Sequence, residues 1–215
     1  GFGDGTRAST LMIDDSLGYP VKLILPWDSQ IYGANLVISG AGSELSQPNG
    51  VFHTWAGNIL VKNGGLLNIW AGYSPTYFAT HSAIQSSTTI VDNATLRTYG
   101  KQALVGYSTK GTLILSNNAV WMAGPEGISL TEWRFVWDPG NPYLGEIFVS
   151  KASVYDEGSF TIGETVNPHG SGYALGNVEI VNESDLTVNN GALTINPQTF
   201  TTGGQTYSNR LVLDN

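Results

Sequence analysis

The 215-residue chain is 41% hydrophobic and 12% charged, a balance that excludes a disordered tail or a charge-rich coiled coil. Nine Lys and Arg against 17 Asp and Glu give a net charge of −8, which disfavours binding to phosphate backbones and anionic lipid. The absence of cysteine excludes disulfides, thiolate metal sites and cysteine nucleophiles. We therefore expect one β-rich domain over residues 1–215, a fragment of a longer chain, with no nucleic-acid partner and no membrane insertion.

Short apolar runs separated by turn-forming residues occur throughout the chain. Val, Ile, Leu, Tyr and Trp form these runs, and Gly, Asn, Ser and Asp bound them. β-branched and aromatic residues favour strands, whereas the bounding residues favour tight turns. The sequence therefore predicts an all-β fold of many short strands.

A recurrent motif places two apolar residues five positions apart around a small polar corner. Asn stands third in the copies at 61–66, 91–96, 115–120 and 188–193, and two looser copies lie at 149–154 and 181–186. Asn can hydrogen-bond the local backbone and tolerates the left-handed conformation that a sharp bend needs. The motif predicts either the turn of a β-hairpin or the bend between two sheets of a β-solenoid.

The intervals between aligned corners favour the solenoid. Successive corners lie 30, 24, 34 and 32 residues apart, which suits full coils with connections of variable length. The stretch 149–162 also matches 181–195 when one residue is inserted, giving a local period near 32. We predict a single-stranded β-solenoid (β-helix) with loop insertions, and an antiparallel β-sandwich or jelly roll is the alternative.

Aromatic residues cluster in the first half of the chain. Tyr73 and Tyr77, in a loop over 72–78, offer the rigid amphipathic area that suits a binding surface. The alternative is a loop packed over one end of the solenoid. The other members of the cluster are Phe52, Trp55, Trp70 and Phe78, with His53 and His81 nearby.

The stretch 124–145 is predicted to be a non-repetitive aromatic insertion. Trp133, Phe135 and Trp137 occupy alternate positions, so their three rings would share one face of a strand. Such a face can stack on sugar rings, with Glu132 and Asp138 accepting hydrogen bonds from sugar hydroxyls. The alternative is that these aromatic residues cap the end of a core.

Motifs for cofactors and catalysis are sparse. The three His residues lack zinc-ligand spacing, and Gly40-Ala41-Gly42 lacks the third glycine and the helix of a nucleotide site. No cofactor is expected, although Asp14-Asp15 or Asp156-Glu157 could hold Ca²⁺ through carboxylates and carbonyls. The candidates for the carboxylate pair of a polysaccharide hydrolase or lyase are Glu126, Glu132 and Asp138.

The stretch 180–195 resembles the repeats of right-handed β-helical surface proteins of bacteria, including passenger domains of autotransporter-type adhesins. The resemblance covers about a third of the chain, and 124–145 departs from it. It implies a right-handed solenoid, secretion, and a role in adhesion or self-association, with no family catalytic residues to transfer. Gly3-Asp4-Gly5-Thr6 is also similar to the opening of phage tailspike β-helices.

These features predict a non-enzymatic, exported surface or structural adhesion domain. It would be extracellular, at a bacterial cell surface or in a virion, and would contact carbohydrate or a host or cell-surface receptor. The alternatives are a trimeric phage tailspike or fibre segment that binds a receptor, and a polysaccharide hydrolase or lyase. The predicted ligand-binding residues are Tyr73, Tyr77, Glu132, Trp133, Trp137 and Asp138.

Overall fold

The computed structural model describes residues 9–55, 57–73, 76–78, 87–106, 110–130, 143–163 and 175–214. These residues form 24 strands and no helix, which confirms the predicted all-β fold. Within the described part of the chain there is accordingly no helix that could cross a membrane.

Three parallel sheets account for all but two of the described strands. The first sheet contains β1 (Ser9–Asp14), β4 (Ala34–Ser39), β7 (Asn58–Lys62), β10 (Ser87–Asp92), β13 (Gly111–Ser116), β16 (Tyr143–Ser150), β19 (Leu175–Val181) and β24 (Arg210–Asp214). The second contains β2 (Lys22–Ile24), β5 (Glu44–Gln47), β8 (Leu66–Ala71), β11 (Thr95–Gly100), β14 (Val120–Ala123), β17 (Ser153–Asp156) and β20 (Asp185–Val188). The third contains β3 (Ser29–Tyr32), β6 (Phe52–Trp55), β9 (Thr76–Phe78), β12 (Ala103–Val105), β15 (Ile128–Leu130), β18 (Phe160–Ile162) and β21 (Leu193–Ile195).

The chain visits the three sheets in rotation, so each round of three strands forms one coil stacked on the coil before it. This arrangement fits a three-sided β-solenoid, as the corner intervals predicted, and does not fit an antiparallel sandwich. Among the described strands, the antiparallel pair is the hairpin of β22 (Thr199–Thr202) and β23 (Gln205–Ser208), which precedes β24.

Coil length varies mainly at the corner between the third and first sheets. Gly33 alone connects β3 to β4, whereas residues 196–209 connect β21 to β24. Aligned residues in neighbouring coils are 23 positions apart at Asn35 and Asn58, and 34 apart at Thr112 and Glu146. The strands therefore stay in register while this corner absorbs the differences in length.

The corner between the first and second sheets is where the predicted Asn motif lies. Asn63, Asn93, Asn117 and Asn182 all have positive φ there, as does Lys151. The prediction that these Asn side chains bond the local backbone is wrong, because they link neighbouring coils instead. Asn63 donates to Ser39 Oγ at 3.3 Å, Asn117 to Asp92 Oδ1 at 2.6 Å and Asn182 to Ser150 Oγ at 3.1 Å.

The predicted spacing of five is correct for only some of these corners. Where one residue has positive φ, the inward residues are five apart, as in Val91 and Leu96. Where two residues have positive φ, they are six apart, and the buried partner of Leu115 is Trp121, not Val120. The corner at Asn63-Gly64 also has two such residues, and its inward residues are Val61 and Leu67. The corner at Asn182-Glu183 has two as well, so Val149 of the preceding coil aligns with Ile180 and not with Val181. The copy at 188–193 lies at a different corner, between the second and third sheets.

The hydrophobic core runs along the inside of all three sheets. Its largest fully buried side chains include Trp121, Phe52, Phe78 and Phe160. The Trp121 indole N–H donates to Thr98 Oγ1 at 2.9 Å, and both side chains are buried. The buried indole N–H therefore has a hydrogen-bond acceptor, which the preceding coil supplies.

Candidate functional site

The outward face of the second sheet carries a set of aromatic and polar side chains that we call the aromatic face. Alternate residues of β8, β11, β14 and β17 point out from the core because successive side chains of a strand lie on opposite sides. The parallel register aligns Asn68, Arg97, Met122 and Tyr155 in one row across these strands. Tyr155 is exposed.

Trp70 and Tyr99 form the adjacent row of the aromatic face. They are register partners on β8 and β11, and their stacked rings have centroids 6.0 Å apart with an interplanar angle of 25°. Trp70 is 55% exposed. Gly124 follows β14, and a Cβ there would lie 2.8 Å from Tyr99 Cδ1, so the missing side chain leaves room for the tyrosine ring.

Polar groups on the same face differ in how far they are already paired. Glu44 accepts a hydrogen bond from Ser46 and forms an ion pair with Lys22 at 3.1 Å, and these contacts lower the pKa of its carboxyl. Asn68 Nδ2 donates to Ser46 Oγ at 3.2 Å and to Glu44 Oε1 at 3.4 Å, so both of its N–H groups are already paired. Arg97 is half-buried, is in none of the ion pairs among the described residues, and its Nε has no hydrogen-bond partner there.

The result is a surface with exposed rings and a guanidinium whose hydrogen-bonding capacity is not used up within the described chain. Rings supply apolar area, and amide and guanidinium groups fix the orientation of a polar ligand. Chemically, the aromatic face can bind a flat or ring-shaped polar molecule.

Tyr73, one of the predicted ligand-binding residues, lies just beyond β8 and is 60% exposed. Its hydroxyl donates to the Asp28 carboxylate, at 2.5 and 2.6 Å from the two oxygens, and Asp28 Oδ1 also accepts the Val51 N–H at 2.9 Å. The Tyr73 hydrogen bond lowers the pKa of Asp28, and the same bond raises the pKa of Tyr73. The Tyr73 ring is therefore accessible, while its hydroxyl links the corner that holds Tyr73 to the corner that holds Asp28, 45 residues earlier.

Tyr77, the second predicted residue in this region, is a strand residue of β9 rather than part of an exposed loop. It is 9% exposed and belongs to a small apolar cluster with Val51 and Leu104. Its ring lies 4.5 Å from that of His53, its register partner on β6. This position fits the packing interpretation of the tyrosine.

The remaining predicted ligand-binding residues, Glu132, Trp133, Trp137 and Asp138, lie outside the described residues, as do His81 and Gly3-Asp4-Gly5-Thr6. The predicted insertion at 124–145 is too wide. β15 lies within it and pairs with β12 and β18, and β16 begins at Tyr143, so both ends of that stretch belong to the solenoid. Glu126, a candidate catalytic carboxylate, forms an ion pair with Lys101 at 2.7 Å.

The two acidic pairs proposed for Ca²⁺ are separate in space and bonded locally. Asp14 Oδ1 accepts the Ser16 hydroxyl at 2.7 Å, and Asp156 is buried with Oδ1 accepting the Gly158 N–H at 2.9 Å. In the part of the chain that the structure describes, no three His, Asp or Glu side chains come together in a group suited to a metal ion.

Sequence analysis did not identify Asn68, Arg97, Tyr99 or Tyr155 as site residues. The alternation Leu96-Arg97-Thr98-Tyr99 is a usable signal, because it places Arg97 and Tyr99 on the face opposite the buried Leu96 and Thr98. Comparison of the chain with protein-family models, curated proteins and solved structures found no match.

Proposed function

We propose that the protein is a non-enzymatic, exported structural domain that contacts carbohydrate through its aromatic face. The observation that carries the proposal is the Trp70–Tyr99 pair, two stacked rings on an outward face with one of them more than half exposed. Large exposed aromatic side chains on a rigid sheet favour a binding role because their apolar area is presented at little cost in conformational entropy.

The neighbouring polar groups support a sugar as the ligand. The C–H face of a pyranose can lie on the exposed Trp70 ring, while Arg97 offers hydrogen-bond donors and the Asn68 carbonyl an acceptor to ring hydroxyls. Arg97 could also pair with the carboxylate of an isolated acidic sugar. A densely anionic polymer is disfavoured by the net charge of −8, so the proposed ligand is a neutral or sparsely charged polysaccharide.

The proposed location is a bacterial cell surface or a virion, where the solenoid would serve as a spacer or adhesin. A chain with no cysteine does not depend on the redox state of its surroundings. We further propose a right-handed coil, because crossovers between parallel strands of one sheet are right-handed in about 98% of cases.

A glycan array probed with the 215-residue chain tests the proposal, followed by titration of the best oligosaccharide by calorimetry. Trp70→Ala should weaken binding at least about tenfold, equivalent to about 1.4 kcal/mol. Trp27→Ala is the matched control, because Trp27 is also exposed, at 64%, but lies outside the aromatic face.

Three outcomes would contradict the proposal. One is the absence of binding to any glycan on the array. Another is binding that survives in Trp70→Ala but is lost in Trp27→Ala. The third is release of new reducing ends from a bound polysaccharide, which would show an enzyme instead of a binding domain.

A further inference from the structure

The outward face of the first sheet carries a continuous apolar row. Register pairs place one apolar side chain per strand directly above the next, across six consecutive coils. From the first coil to the sixth, the row contains Met12, Val37, Leu60, Ile90, Ile114 and Phe148.

This row faces away from the core and is accessible. Met12 is 59% exposed, and the other five side chains are half-buried. At the usual spacing between strands the row is about 25 Å long. A contiguous apolar strip on a surface is typical of an interaction site, whereas single exposed apolar residues are not.

Two charged residues lie beside the centre of the row. Across β4, β7, β10 and β13, the outward residues other than Lys62 and Asp92 are uncharged. Lys62 and Asp92 are register neighbours, yet they form no ion pair. The Asp92 carboxylate instead accepts hydrogen bonds from Ser116 and Asn117 in the following coil.

We propose that the apolar row is the interface of a two-fold dimer with a second copy of this chain. A two-fold axis parallel to the strands, passing between β7 and β10, reverses the order of the coils. It therefore sets Leu60 against Ile90 of the second copy, and Met12 against Phe148 of that copy. The row is self-complementary about this axis, with apolar partners at every level.

The same axis makes the charges complementary. Position along a strand is unchanged by the rotation, so Lys62 meets Asp92 of the second copy, and Asp92 meets Lys62 of that copy. The dimer thus forms two ion pairs that the single chain lacks. They are equivalent, because every contact of an isologous interface occurs twice. This proposal is independent of carbohydrate binding, which uses the second sheet.

The size of the surface sets the expected strength. Three outward residues span the face, so the contact is about 25 Å by 15 Å per copy, or about 750 Å² over both copies, which is below the size of stable interfaces and typical of weak, transient ones. We therefore expect a reversible dimer, with a dissociation constant on the order of micromolar to tens of micromolar.

Sedimentation velocity over a range of concentrations tests the proposal with the 215-residue chain. The wild-type sedimentation coefficient should rise from a monomer value to a dimer value. Ile90→Lys should keep the chain monomeric at the highest concentration, because it places two charges at the centre of the interface. Val120→Lys, at an outward half-buried position of the second sheet, is the matched control and should dimerise normally. Circular dichroism melting confirms that both variants fold.

A charge-exchange experiment tests the predicted geometry. Lys62→Asp and Asp92→Lys should each dimerise at least about tenfold more weakly alone, since each homodimer places like charges together twice. An equimolar mixture should restore the dimer, because both contacts then join opposite charges. A wild-type chain that is monomeric at all concentrations, a trimer, normal dimerisation of Ile90→Lys, or no rescue by the mixture would each overturn the proposal.

Discussion

Lys151 occupies the position at which four neighbouring corners between the first and second sheets have Asn. Its φ of 51° lies beside values of 47° to 55° at Asn63, Asn93, Asn117 and Asn182. Asn adopts this left-handed conformation more readily than other side chains with a Cβ, because its short polar group can hydrogen-bond nearby. Lys151 therefore bears a conformational cost that the four Asn residues largely avoid.

Replacing Lys151 by Asn should raise the free energy of unfolding by about 1 kcal/mol, since left-handed backbone costs most residues about that much more than Asn. Ser116 is the register equivalent of Ser150, so Asn at 151 could donate to it as Asn182 donates to Ser150. Urea unfolding measures the change. The reverse substitution, Asn182→Lys, should be destabilising, and a gain from both substitutions would contradict the explanation.

Asp156 is a second residue at odds with its surroundings. It is the last residue of β17 and is 0% exposed, and its Oδ2 has no hydrogen-bond partner among the described residues. Burial raises its pKa, because the charged carboxylate is disfavoured away from water. The folded state therefore binds a proton at Asp156 more tightly than the unfolded chain does.

The sign of the pH dependence follows from this difference. The wild-type protein loses stability from Asp156 as pH rises from the ordinary Asp value of 3.8 through the raised pKa of the folded state. Asp156→Asn keeps an acceptor for Gly158 without the charge, so it should be more stable than wild type at neutral pH by about 1 to 3 kcal/mol. Thermal melts should show this gain disappearing below pH 3.8, and a variant less stable at neutral pH would refute it.

At the scale of single elements, the strand pattern was predictable and the inward positions were only partly so. Alternation and turn residues locate the strands. The motif, however, predicts that Leu66 and Val120 point into the core, whereas their neighbours Leu67 and Trp121 do so. A corner with a second left-handed residue adds one position and moves every later side chain to the other face. Asn63-Gly64 and Asn117-Asn118 carry two residues that tolerate this conformation, whereas Asn93-Ala94 carries one, so the distinction was present in the sequence at these corners. At Asn182-Glu183 the second left-handed residue is a Glu, which no local pattern identifies.

The aromatic face was less predictable than the strands that form it. Alternation within β11 predicts that Arg97 and Tyr99 point outward together. Their partners Trp70 and Gly124 come from neighbouring coils, and finding them requires the register between coils. That register depends on corner and connection lengths throughout the chain, which no local pattern specifies.

At the scale of the whole molecule, each coil contacts mainly the coil before it and the coil after it. Backbone hydrogen bonds in all three sheets therefore run along the length of the solenoid, joining one coil to the next. Stability in such an array is approximately the sum of terms for single repeats and for their interfaces.

This stacking has a mechanical consequence. Tension applied between Ser9 and Asp214 would load the hydrogen bonds of one coil boundary at a time, in the manner of a zipper, instead of shearing many together. Each coil of 23 to 34 residues should then release about 80 to 120 Å of extended chain as it opens. Optical-tweezers traces of a single molecule should show a ladder of such steps, and one cooperative rupture would contradict this expectation. A domain of this kind would lengthen under load in discrete steps and shorten again when the load is removed, so it would limit the peak force on whatever it connects.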